Sequence, residues 1–245
     1  MIGRRGTATH SVALVAVLAA LLACKKKVES NEETPTSGSP SPAAAAAGDL
    51  AGSYKIASAS NPGGGSSYQG SVDIAKVGTA YKLDWKLAGQ PGYTGVGLVE
   101  GNVLGVGWGT GSSYGVVVYQ VDGGTLKGRW AMSDASKGIG TEMATGPEGL
   151  SGNYDVSGSS PQGGSGYKGT LQITPTGPTY KVAWRLTSGE SYTGVGILQG
   201  KTLVVGWGIG GSAGVVLYNS SGTTLDGKWA QPDNSALGTE KLSRM

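Results

Sequence analysis

The chain has 245 residues, of which 46 are Gly and none is Phe, and only 14% are charged. This length allows one large domain or two of about a hundred residues. The net charge is +3, so no general attraction to nucleic acid is expected. His10 and Cys24 are the only residues of their types. The chain after Cys24 therefore has no disulfide, no His or Cys metal ligand and no Ser-His or Cys-His catalytic pair, and we expect no cofactor.

Residues 1–23 have the pattern of a secretory signal peptide. Two arginines precede an apolar run from Val12 to Ala23, which is shorter than the about 20 residues that a membrane-spanning helix needs. The run ends in Leu21-Leu22-Ala23-Cys24, which resembles the lipobox of bacterial lipoproteins. The resemblance implies that Cys24 becomes the N-terminus and is acylated, with palmitate among its chains. Lys25 after the cysteine implies the outer membrane as the site of this anchor in the cell envelope.

Residues 24–48 are rich in Ser, Thr, Pro, Glu and Ala and have no apolar periodicity. This composition predicts a disordered linker between the lipidated cysteine and the folded part. The membrane is therefore an expected partner, through the lipid anchor.

The rest of the chain contains two copies of one sequence. Leu50–Tyr54 returns as Leu150–Tyr154, and Val106–Gly109 returns as Val205–Gly208, with an offset of about 99 residues. A period this long indicates an array of whole domains rather than a solenoid. We therefore predict two domains, 49–146 and 147–245. The six tryptophans form three matched pairs: Trp85 with Trp184, Trp108 with Trp207, and Trp130 with Trp229.

Each copy has the pattern of eight short strands joined by Gly-rich turns. In the first copy these are expected near 50–57, 66–76, 80–88, 93–99, 102–109, 114–121, 125–132 and 139–144. The third is the clearest, because Tyr81, Leu83 and Trp85 alternate with Lys82 and Asp84. The pattern predicts an all-β fold of two antiparallel up-and-down barrels, in which closure removes exposed edges. Two β-sandwiches are the alternative.

The strand pattern is similar to that of avidin and lipocalin barrels. The opening Gly52-Ser53-Tyr54 lies where those families often have Gly-x-Trp. The copies also resemble Gly-rich repeats of exported bacterial proteins that are loosely described as fibronectin-binding. The first resemblance implies an interior that fits side chains or one small ligand.

The candidate ligand-binding residues are the paired tryptophans together with one tyrosine and one glutamate per copy. They are Tyr68, Trp85, Trp108, Trp130, Glu142, Tyr167, Trp184, Trp207, Trp229 and Glu240. Aromatic side chains could line a pocket and stack on a ring, or simply fill a core that has no Phe. Glu142 could anchor a ligand, or form a cross-strand ion pair with Arg129.

Three functions are compatible with these patterns. The first is a non-enzymatic, lipid-anchored binding or adhesion protein, whose outward strand glycines could receive a partner protein or the sister barrel. The second is a carrier of a small apolar or ring-shaped ligand. The third is a hydrolase, which we do not expect, because each copy keeps one strand carboxylate and paired-carboxylate hydrolysis needs two. No catalytic residue is therefore predicted.

Overall fold

The computed structural model describes residues 48–109, 111, 113–209, 213–232 and 235–245. Cys24, the predicted signal peptide 1–23 and the predicted linker up to residue 47 lie outside the described residues. Within them, no helix is long and apolar enough to cross a membrane.

Sixteen strands make up most of the described chain and confirm the prediction of eight per copy. The first copy forms β1 (Gly52–Ser60), β2 (Gly70–Val77), β3 (Ala80–Leu87), β4 (Tyr93–Glu100), β5 (Val103–Gly109), β6 (Tyr114–Asp122), β7 (Thr125–Met132) and β8 (Gly140–Thr145). The second copy forms β9 (Gly152–Ser159), β10 (Gly166–Thr176), β11 (Thr179–Leu186), β12 (Ser191–Gln199), β13 (Thr202–Gly208), β14 (Ala213–Ser221), β15 (Thr224–Ala230) and β16 (Gly238–Arg244). Short 3-10 turns are formed by Ala135–Lys137 and Pro161–Gly163.

The strands close into two eight-stranded antiparallel barrels, as predicted, and the alternative of two sandwiches is wrong. The first barrel consists of β1–β5 and β14–β16, and the second barrel consists of β6–β13. At the point of exchange β5 pairs with β14, and β13 pairs with β6. The first barrel closes where the first strand, β1, pairs with the last, β16.

Each barrel therefore takes strands from both copies. This strand order corrects the expected assignment of residues 49–146 to one barrel and 147–245 to the other. The segment that joins the copies connects β8 to β9, which are paired neighbours inside the second barrel. The second barrel is thus an uninterrupted stretch of chain inserted between β5 and β14 of the first.

Three apolar clusters hold this arrangement together. One fills the first barrel, with Leu83 and Val106 at its centre, and one fills the second, with Leu171 and Val182. The third lies between the barrels and is formed by outward-facing residues of β4, β6, β12 and β14, such as Leu98. The burial of these outward faces joins the two barrels.

Outward glycines allow the two barrels to approach each other closely. A Cβ on Gly107 of β5 would overlap the backbone carbonyl of Gly115 on β6, in the other barrel. Gly206 of β13 has the same relation to Gly214 of β14. The outward glycines were expected to receive a partner protein or the sister barrel, and the sister barrel covers them.

Candidate functional site

The ten candidate residues fall into two groups of five, one at the same end of each barrel. In the first barrel a cavity of about 380 Å³, the first cup, is lined by Tyr68, Trp85, Trp108, Trp229 and Glu240 among others. In the second barrel a cavity of about 420 Å³, the second cup, is lined by Trp130, Glu142, Tyr167, Trp184 and Trp207 among others. Each cup takes its residues from both copies, because the copies exchange strands.

Glu240 forms the floor of the first cup and is only 3% exposed. Its Oε1 accepts a hydrogen bond from the hydroxyl of Tyr218 and another from Nε1 of Trp85, at 3.1 Å. Its Oε2 accepts a hydrogen bond from the hydroxyl of Tyr68, at 2.8 Å. Three donors directed at one carboxyl suit its ionised form, which accepts hydrogen bonds and donates none.

Glu142 forms the floor of the second cup and repeats this arrangement. It is 7% exposed. Its Oε1 accepts hydrogen bonds from the hydroxyl of Tyr119 and from Nε1 of Trp184, the latter at 3.0 Å. Its Oε2 accepts one from the hydroxyl of Tyr167, at 2.8 Å. Two tyrosine hydroxyls and one tryptophan N–H therefore hold the floor carboxylate in both barrels.

The floor of the second cup is a single row of residues across five neighbouring strands. On one side Glu142 pairs with Gly128, and Gly128 pairs with Tyr119. On the other side Glu142 pairs with Gly158, and Gly158 pairs with Tyr167. A Cβ on Gly128 would lie 2.6 Å from the ring of Tyr119, and one on Gly158 would overlap the ring of Tyr167. The missing side chains of two glycines thus let two tyrosines reach one glutamate.

The first barrel builds its floor with one difference. Tyr218, Gly227 and Glu240 follow one another across β14, β15 and β16, as in the second barrel. On the far side Glu240 pairs with Ala59 instead of a glycine, and the register of β1 shifts just before this residue. The bulge re-aims the strand locally, so an alanine fits where the regular row needs glycine.

All six tryptophans of the chain lie in the walls of the two cups. In the first cup Trp108 packs edge-to-face on Trp229, with ring centroids 6.2 Å apart, and on Tyr93, at 5.1 Å. In the second cup Trp207 makes the matching contacts with Trp130, at 6.3 Å, and with Tyr192, at 5.3 Å. Edge-to-face packing is the favourable geometry for such rings, so the walls support one another.

The rims of the two cups differ. The first rim carries the amides Asn61, Gln90 and Gln231. The second rim carries hydroxyls, a methionine and a carboxylate, namely Ser160, Ser165, Ser188, Met132 and Glu190. The floors are therefore nearly identical, whereas the rims offer different polar groups.

Burial raises the pKa of both floor carboxyls above the ordinary value, and the hydrogen bonds from tyrosine and tryptophan act in the opposite direction. Burial and the nearby carboxylate raise the pKa of Tyr119 and Tyr218 well above the usual value. The same causes raise the pKa of Tyr68 and Tyr167. These four hydroxyls therefore remain protonated donors near neutral pH.

The expected ion pair of Glu142 with Arg129 is wrong. Arg129 pairs with Glu100 instead, at 2.8 Å. Glu142 points into the barrel, because Gly140, Glu142 and Ala144 share the inward face of β8.

Sequence reasoning did not single out the donors Tyr119 and Tyr218, or the wall residues Tyr93 and Tyr192. All four belong to matched pairs between the copies. Tyr119 also alternates with Val117 on the inward face of β6, and both are buried in the core of the second barrel. Strand alternation combined with pairing between the copies would have identified it.

Among the residues that the structure describes, no cluster of His, Cys, Asp or Glu is placed to hold a metal ion. No protein-family model, curated protein or solved structure matches the chain.

Proposed function

We propose that this chain is a non-enzymatic binding protein of the cell envelope whose two barrels each hold one small, ring-bearing organic molecule. The observation that supports this proposal is the repeated cup: a buried glutamate under three tryptophans, present in both barrels. A core that merely needed bulk would not leave two cavities of matching composition.

The dimensions and chemistry of the cups support a small ligand. Cavities of about 300–1,000 Å³ are typical of small-molecule sites, and both cups fall at the lower end of this range. Their walls combine aromatic rings with a few polar groups. The exposed rim residues Gln90 and Ser165 mark where a ligand would enter. The edge-to-face walls are already formed, so little ordering of the protein would be needed on binding.

Two other functions receive less support. Adhesion through the outward glycines would need a free surface, and the sister barrel covers Gly107 and Gly206. Hydrolysis by two carboxylates would need a second acid in each cup, and among the described lining residues the second cup adds Glu190 to Glu142, whereas Glu240 is the only carboxylate of the first. Contact with a partner protein elsewhere on the barrels stays a prediction.

Anchoring through a lipid on Cys24 forms part of the proposal and is supported by the pattern of the leader alone. A flexible linker of residues 24–48 would have a root-mean-square reach of about 25 Å. The barrels would then sample the space next to the membrane. Mass spectrometry of the intact protein from its own cells tests this part, because acylation adds a defined mass and Cys24→Ala would remove it.

The experiment that tests ligand binding is native mass spectrometry of the full chain purified from its own cells. We expect one or two molecules of a small organic compound per chain. Trp108→Ala combined with Trp207→Ala opens both walls and should abolish this added mass. Retention of the compound by the double variant would place it outside the cups. A bare chain that also fails to bind any member of a library of small ring compounds would contradict the proposal.

A further inference from the structure

The floor glutamates are buried acids without a cationic partner. Neither cup has a lysine or arginine among its described lining residues. Every hydrogen bond described for Glu142 and Glu240 comes from tyrosine or tryptophan, which are neutral donors. Burying a carboxylate without an opposite charge is costly, even when it is hydrogen-bonded. A cation bound in the cup would supply the missing charge.

The described hydrogen bonds leave one acceptor site unused on each floor carboxylate. A carboxylate offers about four lone-pair sites, two on each oxygen. In Glu240, Oε1 accepts two hydrogen bonds and Oε2 accepts one. Tyr68, the donor to Oε2, and Trp85, one of the two donors to Oε1, both line the cup, whereas Tyr218 is fully buried. Glu240 itself lines the cup, so the acceptor site that remains on Oε2 is the one open to a ligand, and Oε2 of Glu142 likewise accepts one hydrogen bond, from Tyr167.

The walls of the cups, like the floor, favour a positively charged ligand. The faces of tryptophan and tyrosine rings attract cations, most strongly where water is excluded. The rim of the first cup is neutral, and that of the second adds the carboxylate of Glu190. A concave site with one sign of charge concentrates the opposite ion. An anionic ligand would meet only unfavourable charge in either cup.

We infer that the ligand of each cup is a small protonated amine with a ring or short apolar body, an inference that rests on the proposed function. Its ammonium N–H donates to the free site on Oε2 of the floor glutamate, and its apolar body contacts the tryptophan walls. A sugar fits less well, because the floor offers a single free acceptor to a ligand that carries many hydroxyls.

The test is a fluorescence titration of the full chain, because all six tryptophans lie in the cups and report on them directly. The probes are benzylammonium, benzyl alcohol and benzoate, which share a ring and differ in charge. At neutral pH and low salt we expect benzylammonium to bind at least about tenfold more tightly than benzyl alcohol, and benzoate not to bind.

The variant that tests the floor is Glu142→Gln combined with Glu240→Gln, which keeps shape and removes charge. We expect it to bind the amine and the alcohol about equally. Glu148→Gln, in the exposed link between β8 and β9, is the matched control and should keep the preference for the amine. The ranking of the three probes in the unaltered protein tests the inference even if the double variant does not fold.

Equal binding of amine and alcohol by the unaltered protein would overturn the inference and leave the proposed function standing. Tighter binding of benzoate, or no response to any of the three probes, would overturn it as well. The proposed function is then judged by the bound mass in native mass spectrometry, which does not depend on the charge of the ligand.

Discussion

The two barrels contain the same kinds of strand but are made differently from the chain. The second barrel is one uninterrupted stretch, β6–β13, whereas the first is assembled from the two ends, β1–β5 and β14–β16. Their cups nevertheless share a glutamate floor with two tyrosine donors and one tryptophan donor. The site is therefore defined by rows of side chains across neighbouring strands, and not by the order in which the chain supplies those strands.

The differences between the cups are equally informative. One floor uses Gly158 and a regular strand, and the other uses Ala59 and a bulge, yet each carboxylate accepts from two tyrosines and one tryptophan. At the rims, Gln90 and Glu190 give the cups different charge. The floor would then set the chemical class of the ligand, and the rim would adjust affinity within that class.

The largest expected effect comes from the two points where the barrels touch through backbone. Gly107→Ala and Gly206→Ala each place a Cβ against a carbonyl of the other barrel. We expect each to lower the free energy of unfolding by about 2–3 kcal/mol, since neither neighbour is a flexible side chain. Urea unfolding followed by tryptophan fluorescence measures this change. Gly149→Ala is the control, because a Cβ there meets no atom within 4 Å. If the two variants lose different amounts of unfolding free energy, the two points of strand exchange are not equivalent.

A smaller effect is expected when a floor glutamate loses one donor. Tyr119→Phe and Tyr218→Phe each remove a hydrogen bond to a buried carboxylate. We expect a loss of about 1–3 kcal/mol in unfolding free energy for each, because a charged acceptor is left less satisfied. Tyr180→Phe, at the opposite end of β11 from Trp184, serves as the control in the same urea experiment. A loss no larger than in the control would mean that these hydroxyls do not stabilise the carboxylate.

The pH dependence of stability should identify the floor glutamates. Their pKa is raised by burial in the folded state, so the folded protein holds these protons to higher pH than the unfolded chain does. Their contribution to the unfolding free energy therefore falls as pH rises from the unfolded to the folded pKa, and it recovers on acidification. The pKa of the exposed Asp73 is lowered by its hydrogen bond from Lys86, which acts in the opposite direction.

The experiment therefore compares the unfolding free energy of a variant with that of the unaltered chain. Unfolding curves over a series of pH values should show that Glu142→Gln with Glu240→Gln gains stability relative to the unaltered chain as pH rises. Glu148→Gln should follow the unaltered chain throughout. A difference that does not vary with pH would mean that burial does not penalise the charge of these carboxylates.

The smallest effect is expected at the rims. In a Glu240→Gln background, where only the second cup prefers the amine, Glu190→Gln should weaken benzylammonium binding about twofold at low salt, and less at high salt. Gln90→Glu, in a Glu142→Gln background, should strengthen binding in the first cup by a similar factor. Fluorescence titrations measure both changes. If neither rim substitution changes the affinity for benzylammonium, the rims do not distinguish the cups.

Strand positions were predictable because alternation is strong in this chain. Tyr81, Leu83 and Trp85 lie inside the first barrel, and Lys82 and Asp84 lie outside, as their period of two indicates. The exchange of strands was not predictable from the same signal. β6 and β14 present similar edges, so either could pair with β5, and side-chain periodicity does not distinguish them.

The site was accessible to sequence reasoning only in part. Pairing between the copies selected Glu142 and Glu240 and all six tryptophans, because these positions are unchanged in both copies. It did not reveal the glycines, since a residue without a side chain gives no sign of what it makes room for. The role of Gly128 and Gly158 can be recognised only from the strand register, which places both beside Glu142.

The divided construction of the first barrel sets an order of events when the chain folds as it emerges. A chain that emerges from its N-terminus has all strands of the second barrel once residue 208 is free, whereas β1 has no closing partner until β16 appears. During this interval β1–β5 form at best an open sheet with two unpaired edges, the kind of surface that aggregates. The period between the closing of one barrel and the closing of the other is thus when the nascent chain is most exposed to misassembly and to chaperone binding.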